Sequence, residues 1–518
     1  MKRTISISRN IERNPAARGA LRSAAALLCV ALAGCTVGPK YHAPKFQAPA
    51  AFKESPANFQ QPSADSGPWR AAQPQDAKLR GDWWEIFNEP ELNALEAQVN
   101  VNNQTIKQDF ENFMAARAMV RQARAQYFPT VSTTPAYSRQ KSSANLTNST
   151  TANVGATSQL YTVPIDVSWA PDIWGKVRNE VREAAYTAQV SAATLENERL
   201  TEQASLAEFY FEIRGQDALI KLFAETGAAD EKALQLTQAQ YDTGIGDKIS
   251  VVEALNTLQA AQASATNLGI LRAQYEHAIA TLIGRPASGF SIPVRPFTTA
   301  PPPIPIGMPS LLLERRPDVA GAERTMASVN AEIGVGYAAF YPSLTLSVAG
   351  GTQSSLAEHL ADVPSRFWSL GPSVSQTIYD GGLYRAELNQ YIATYNADLA
   401  AYRQTVLTAF QQVEDSLAAV RILSRQVQQQ RDVVVSARQS LQLEMGRYQT
   451  GIDPYIDVVT LQTTLLTDQQ TLTGLQVDQM TDAVELVEAL GGGWDRSQLP
   501  TPKQVEAKPP KAETKLQH

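Results

Sequence analysis

The apolar positions of this chain change their period along its length, and they do so twice in the same order. Leu388, Ile392, Tyr395, Leu399, Tyr402, Val406, Ala409 and Val413 step by four and three in turn. That is the 3.5-residue rhythm of a helix lying along another helix. No proline occurs between Pro171 and Pro286, or between Pro372 and Pro454, and both stretches are rich in Ala, Gln, Glu, Leu and Arg, which favour helix. The pattern predicts long helices from Asp172 to about Gln240 and from Gly382 to about Arg447. Each would be on the order of 100 Å long at 1.5 Å per residue, several times the ordinary helix. A rod or a tube needs such helices; a globular domain does not.

Ahead of each long helix the period shortens to two. Tyr161, Val163, Ile165, Val167 and Trp169 alternate with Thr162, Pro164, Asp166 and Ser168. In the second half Leu344, Leu346 and Val348 alternate with Ser343, Thr345 and Ser347, and Trp368, Leu370, Val374 and Ile378 with small polar residues. Alternation over this length reads as half-buried strand, giving strands over about 130–142, 157–170, 343–353 and 367–379. Polar loops, Ser142 to Thr157 and Ser354 to Ser365, split the pairs into hairpins. A Ser/Thr/Gly-rich polar face suits a membrane barrel with water inside, although a soluble sandwich stays open on the strands alone. An amphipathic helix precedes each hairpin, from Glu91 to Tyr127 and from Pro317 to Phe340, and a returning helix closes each half, Ser250 to Ile283 and Asp457 to Leu490.

The two halves are copies. Tyr241-Asp242-Thr243-Gly244-Ile245 recurs as Tyr448-Gln449-Thr450-Gly451-Ile452, and Gly284 matches Gly491 at the same offset of 207. Upstream, Tyr127-Phe128-Pro129 matches Phe340-Tyr341-Pro342 at an offset of 213. A repeat this long is a duplicated domain, since solenoid units run to about 20–50 residues. The organisation that follows is α+β: residues 77–285 as repeat 1, 286–309 as a proline-rich linker, 310–493 as repeat 2 and 494–518 as a disordered tail. Each copy reads as helix, β-hairpin, long helix, tight turn, helix. Four strands cannot close a barrel wide enough for solute, and an open edge in lipid leaves backbone groups unpaired. The strands must therefore close with those of other subunits. Three chains would give twelve strands, a number composition does not choose over that from two or four.

The N-terminus places the protein. Six Lys and Arg precede a short apolar run, Ala24 to Ala33, that ends in Leu32-Ala33-Gly34-Cys35. The run is too short to span a bilayer, for which about 20 residues are needed. The small residues before Cys35 form a lipobox, so residues 1–34 read as a lipoprotein signal peptide, with Cys35 acylated. Residues 35–76, rich in proline, read as a tether. Removing residues 1–34 takes the formal charge from −6 to about −11, which argues against nucleic acid as a partner.

Catalysis and metal binding have no foothold. The four histidines, His42, His277, His359 and His518, are scattered, with no His/Cys/carboxylate spacing for a metal. Gly491-Gly492-Gly493 lacks the Lys-Ser/Thr of a phosphate loop, and no serine sits in a Gly-x-Ser-x-Gly elbow. The expectation is a protein that is not an enzyme and carries no cofactor beyond the lipid on Cys35.

Several segments resemble one family in order along almost the whole mature chain. They include Gly34-Cys35-Thr36-Val37-Gly38-Pro39-Lys40-Tyr41, Trp83-Trp84-Glu85-Ile86-Phe87 and Trp174-Gly175-Lys176-Val177-Arg178. In the second copy they include Leu313-Glu314-Arg315-Arg316-Pro317-Asp318-Val319 and Ile378-Tyr379-Asp380-Gly381-Gly382. The chain resembles the TolC-like outer-membrane efflux proteins, in the NodT-like lipoprotein branch. The resemblance implies a homotrimer with a β-barrel in the outer membrane and an α-helical barrel in the periplasm. Its closed tip would meet an adaptor protein and an inner-membrane RND transporter, and small molecules would leave through it. A TolC-like channel for protein secretion is the alternative, and a periplasmic adaptor lipoprotein a distant one.

The resemblance also implies a site at the tip. Asp457 matches the family's aspartate ring around the constricted axis, although an acid starting a helix satisfies the dipole in any case. A second acidic position of the family is Thr460 here, which puts a second ring in doubt. Tyr448 matches the tip tyrosine. The family's basic partner is replaced by Asp453, and Arg447 is the cation left to serve in a gate. Tyr241, Gly244, Ser250, Gly451 and Asp453 fall on the turns that adaptors recognise.

Overall fold

The computed structural model describes residues 37–44, 46, 48–49, 51–54, 81–141, 143, 157–296, 300–304 and 309–507. The expected signal peptide, Cys35, most of the first hairpin loop and the end of the tail lie outside the described residues.

Each copy has the expected order of elements. Copy one holds α1 (Pro90–Asn102), α2 (Gln104–Ala125), β1 (Thr130–Ser132), β2 (Ala136–Lys141), β3 (Thr157–Trp169), α3 (Lys176–Asp242) and α4 (Lys248–Leu282). Copy two holds α5 (Pro309–Arg315), α6 (Pro317–Ala338), β4 (Ser343–Ser354), β5 (Arg366–Ser375), α7 (Leu383–Gln449) and α8 (Tyr455–Ala489). A short α9 (Pro502–Glu506) follows. The two long helices, α3 and α7, have 67 residues each.

The strands form one antiparallel sheet in which β3 of the first copy pairs with β4 of the second. Val167 faces both Val131 and Val348 across the ladders, and Val348 faces Leu370. Cross-strand partners share a face, so the alternation of every strand falls into step. One face carries Tyr161, Val163, Ile165, Val167, Leu344, Leu346, Val348, Leu370 and Val374. The other carries Asp166, Ser168, Ser347, Gly351, Ser369, Gly371 and Ser373.

Four expectations change. The first strand is not continuous: it breaks between Ser132 and Ala136. Pro135 and, on the facing strand, Pro164 lack the N–H a ladder needs, and Thr133 instead donates from Oγ1 to the Pro164 carbonyl. The last strand stops at Ser375, because β4 begins at Ser343 and offers 376–379 no partner. The helix expected from Glu91 to Tyr127 is two helices, since Asn103 leaves helical geometry and its side chain caps α2 by accepting from the Ile106 N–H.

The fourth change concerns both ends of the chain. The proline-rich tether is docked where it is described. Tyr41 donates to the Glu323 carboxylate at 2.6 Å, Phe46 stacks on Phe410, and Glu54 pairs with Arg421 at 2.6 Å. Phe52 is buried with Tyr402, Val406, Ala409 and Val413 of the heptad stripe. Residues 494–507, expected to be disordered, are ordered. Thr501 and Gln504 form a capping box, and Val505 is buried against Ala116, Val120 and Ala188. A few apolar anchors outweigh proline and lysine content in both segments. Glu323 joins the two ends, because it also accepts from Arg496 at 3.0 Å.

The larger core lies midway along the rods. There Trp83, Trp84 and Phe87 pack on Leu206, Tyr210 and Phe211 of α3, on Ile279 of α4 and on Val484 of α8.

Candidate functional site

The two tip turns lie together at the end of the rods opposite the sheet. Gly244 and Gly451 adopt left-handed φ values of 77° and 73°, which a β-carbon would resist. The Gly246 N–H then folds back onto the Gln240 carbonyl, and that of Ile452 onto Arg447. Both bonds satisfy carbonyls left open at a helix end. In copy one Asp247 caps the returning helix by accepting from the Ser250 N–H at 2.8 Å. Those backbone bonds hold the Asp247 carboxyl below the ordinary carboxylate range. In copy two Pro454 takes the cap position, and Asp457 stands in the first turn of α8.

Five side chains bind the two turns into one unit. Ala233, Ala254, Tyr455 and Val458 form a buried cluster, with Tyr448 packed against it. Tyr448 and Tyr455 have ring centroids 5.2 Å apart. The Tyr448 hydroxyl donates to Gln240 Oε1 on α3, a hydrogen bond from copy two to copy one across the tips. Burial pushes the Tyr448 phenol up. Its repeat equivalent, Tyr241, is exposed and carries Lys248 5.1 Å from its ring centroid.

Arg447 does not stand free. Its guanidinium pairs with both oxygens of Asp453 in its own turn, with Nη2 2.9 Å from Oδ1. The pairing pushes Asp453 down and Arg447 up. Asp457 is exposed, contributes to the field at Arg447 and shows no ion pair among the described residues.

The sequence did not single out Gln240, Tyr455 or the apolar crown of the tips. Ile245, Ile249, Ile452 and Ile456 are 83 %, 67 %, 64 % and 46 % exposed. The signal was present, since both pairs repeat at the offset of 207, and equal apolar residues at two solvent-facing turns are not needed for either turn. Gln240 and Tyr455 carry no such signal. No group of His, Cys, Asp and Glu among the described residues is placed to hold a metal. No described helix is long and apolar enough to cross a membrane, a test that says nothing of a barrel.

Comparison with known proteins places both copies in one family. The family model described as "Outer membrane efflux protein" matches residues 89–285 and 308–492, the two copies. The chain is 32% identical over 483 residues to the antibiotic efflux pump outer membrane protein ArpC of Pseudomonas putida, covering 93% of this chain and 97% of that one. Identity and coverage are the same for the toluene efflux pump outer membrane protein TtgC, also of Pseudomonas putida. Among solved structures, the outer-membrane channel OprN superposes with a TM-score of 0.79 at 26% identity, covering 89% of this chain and 100% of that one.

Proposed function

The chain belongs to the outer membrane efflux protein family, and from that we propose how its parts serve the outer-membrane channel of a tripartite RND-type efflux pump. It exports small molecules, and relatives named for antibiotic and toluene efflux support drugs or solvents as the cargo class. The observation that carries the reading is the sheet. Its apolar face is uncovered, with Trp368, Leu370 and Val374 80 %, 68 % and 69 % exposed, and its outer strands, β1 with β2 and β5, have free edges. Lipid suits the first property, and pairing with neighbouring copies suits the second. Three copies would close twelve strands into a barrel, with the polar face lining a water-filled duct.

Three further roles follow from this reading. Cys35 is the acylation site, which is supported by Val37: its N–H donates to the Trp174 carbonyl at the foot of the sheet. The exposed isoleucines, with Tyr241, Gly244, Ser250, Gly451 and Asp453, form the surface that the adaptor grips. Asp457, Tyr448 and the Arg447–Asp453 pair form the constriction.

Mass measurement of the detergent-solubilised protein, together with planar-bilayer recording, tests the assembly. A mass of three copies that conducts ions is expected. A monomer that conducts alone would overturn the closure argument.

A further inference from the structure

One carboxylate near the tip has no part in the roles above. Asp230 lies on α3, about four turns before the Gly244 turn. It is 2 % exposed, and its Oδ2 has no hydrogen-bond partner among the described residues. One turn further along, Ala233 enters the cluster with Ala254 of α4 and Tyr455 and Val458 of α8. Asp230 therefore stands at the head of the seam between the two tip hairpins. The Tyr455 phenol of α8 feels the charges of Asp230, of Tyr448 from α7 and of Glu253 from α4, and Tyr448 feels that of Asp247. None of them is a cation. The neighbours on its own helix, Glu231 and Lys232, are exposed.

A buried carboxylate with an unsatisfied oxygen costs little as the neutral acid and much as the anion. The anion recovers its hydration only by reaching water.

We propose that Asp230 is a proton-operated latch on the tip seam. When protonated, it lets α3 and α8 pack and keeps the tips together. When ionised, it draws water into the seam and loosens the constriction. The latch rests on the channel reading for its purpose but not for its test.

Burial alone pushes this carboxyl up to about 6. The sign follows from linkage. A carboxyl raised above its ordinary 3.8 stabilises the packed seam fully below that value, and the stabilisation is lost as pH rises through about 6. Between pH 5 and pH 7 those two values give about a tenfold increase in the opening equilibrium. The seam is thus tightest in an acidic periplasm.

Hydrogen–deuterium exchange on the full chain in detergent, corrected for intrinsic pH dependence, decides the matter. Peptides covering 226–236 and 452–462 should lose about tenfold protection between pH 5 and pH 7. In Asp230→Asn, which is uncharged and of the same shape, they should keep the acid-form protection at both. Equal wild-type protection at the two pH values overturns the latch, and so does an Asn variant that loses protection as the wild type does. Bilayer recording separates the two readings. Exchange that follows Asp230 in a protein that does not conduct supports the latch and counts against the channel.

Discussion

Asn103 donates from Nδ2 to the carbonyl oxygen of Leu282 at 3.0 Å, fastening the end of α4 into the break between α1 and α2. The second copy repeats the device with a different residue: Arg316 donates from Nη1 to the Ala489 carbonyl at 3.1 Å. The positions correspond in the repeat, 103 to 316 and 282 to 489. Two residues past each carbonyl stands a left-handed glycine, Gly284 with φ +66° or Gly491 with φ +94°. A β-carbon on Gly491 would lie 2.1 Å from the Arg315 carbonyl oxygen, and one on Gly284 2.4 Å from that of Asn102. Helix breaks thus act as sockets for returning helices, which keeps the rods in register midway between sheet and tip.

Asn103→Ala removes the α2 cap and leaves the Leu282 carbonyl without its side-chain partner. A loss of roughly 1–3 kcal/mol is expected. Gly491→Ala adds a steric clash with backbone that cannot yield cheaply. Both variants should lower the unfolding midpoint of the detergent-solubilised protein, Gly491→Ala by more. Unchanged midpoints would show that the sockets contribute nothing to stability.

Tyr448→Phe keeps the ring against Tyr455 and removes only the bond to Gln240. Losing one hydrogen bond across the tip seam, about 0.5–1.5 kcal/mol, should raise the open fraction between about twofold and tenfold. Bilayer recordings read this directly. Tyr241→Phe serves as the control, because Tyr241 makes no such bridge, and it should leave gating unchanged.

Asp457→Asn should weaken block by divalent and trivalent cations and reduce cation selectivity, with assembly intact. Three carboxylates near one axis attract cations and repel one another, more so as water is excluded. If block and selectivity stay at wild-type values in the Asn variant, Asp457 is off the axis and acts only on the helix dipole.

Cys35→Ser should abolish labelled palmitate incorporation while the protein still assembles. Tyr41, Phe52 and Glu54 hold the described residues that follow Cys35 onto the helices by contacts of their own. Continued labelling of the Ser variant would place the lipid elsewhere.

Much of the architecture was legible in the chain because periodicity reports which face of an element is covered. The four-and-three stepping from Leu388 to Val413 marked a stripe whose Tyr402, Val406, Ala409 and Val413 are buried. The offset of 207 located both tip turns, since glycine is needed wherever a chain reverses through left-handed geometry. The alternation of Val163 to Trp169 gave a strand with one apolar face. What the sequence could not determine was which surfaces meet. The pairing of β3 with β4 joins segments about 180 residues apart, and alternation fixes only the face, never the neighbour. The docking of both chain ends depends on a few anchors, Tyr41, Phe52 and Val505, in stretches whose composition reads as unstructured. Arg447 and Asp453 became a pair only because the Gly451 turn brings them together, and Asp230 became a buried acid only once the chain had folded. Local pattern sets periods and turns; burial and partnership are properties of distant segments brought together, and they exist only once the chain has folded.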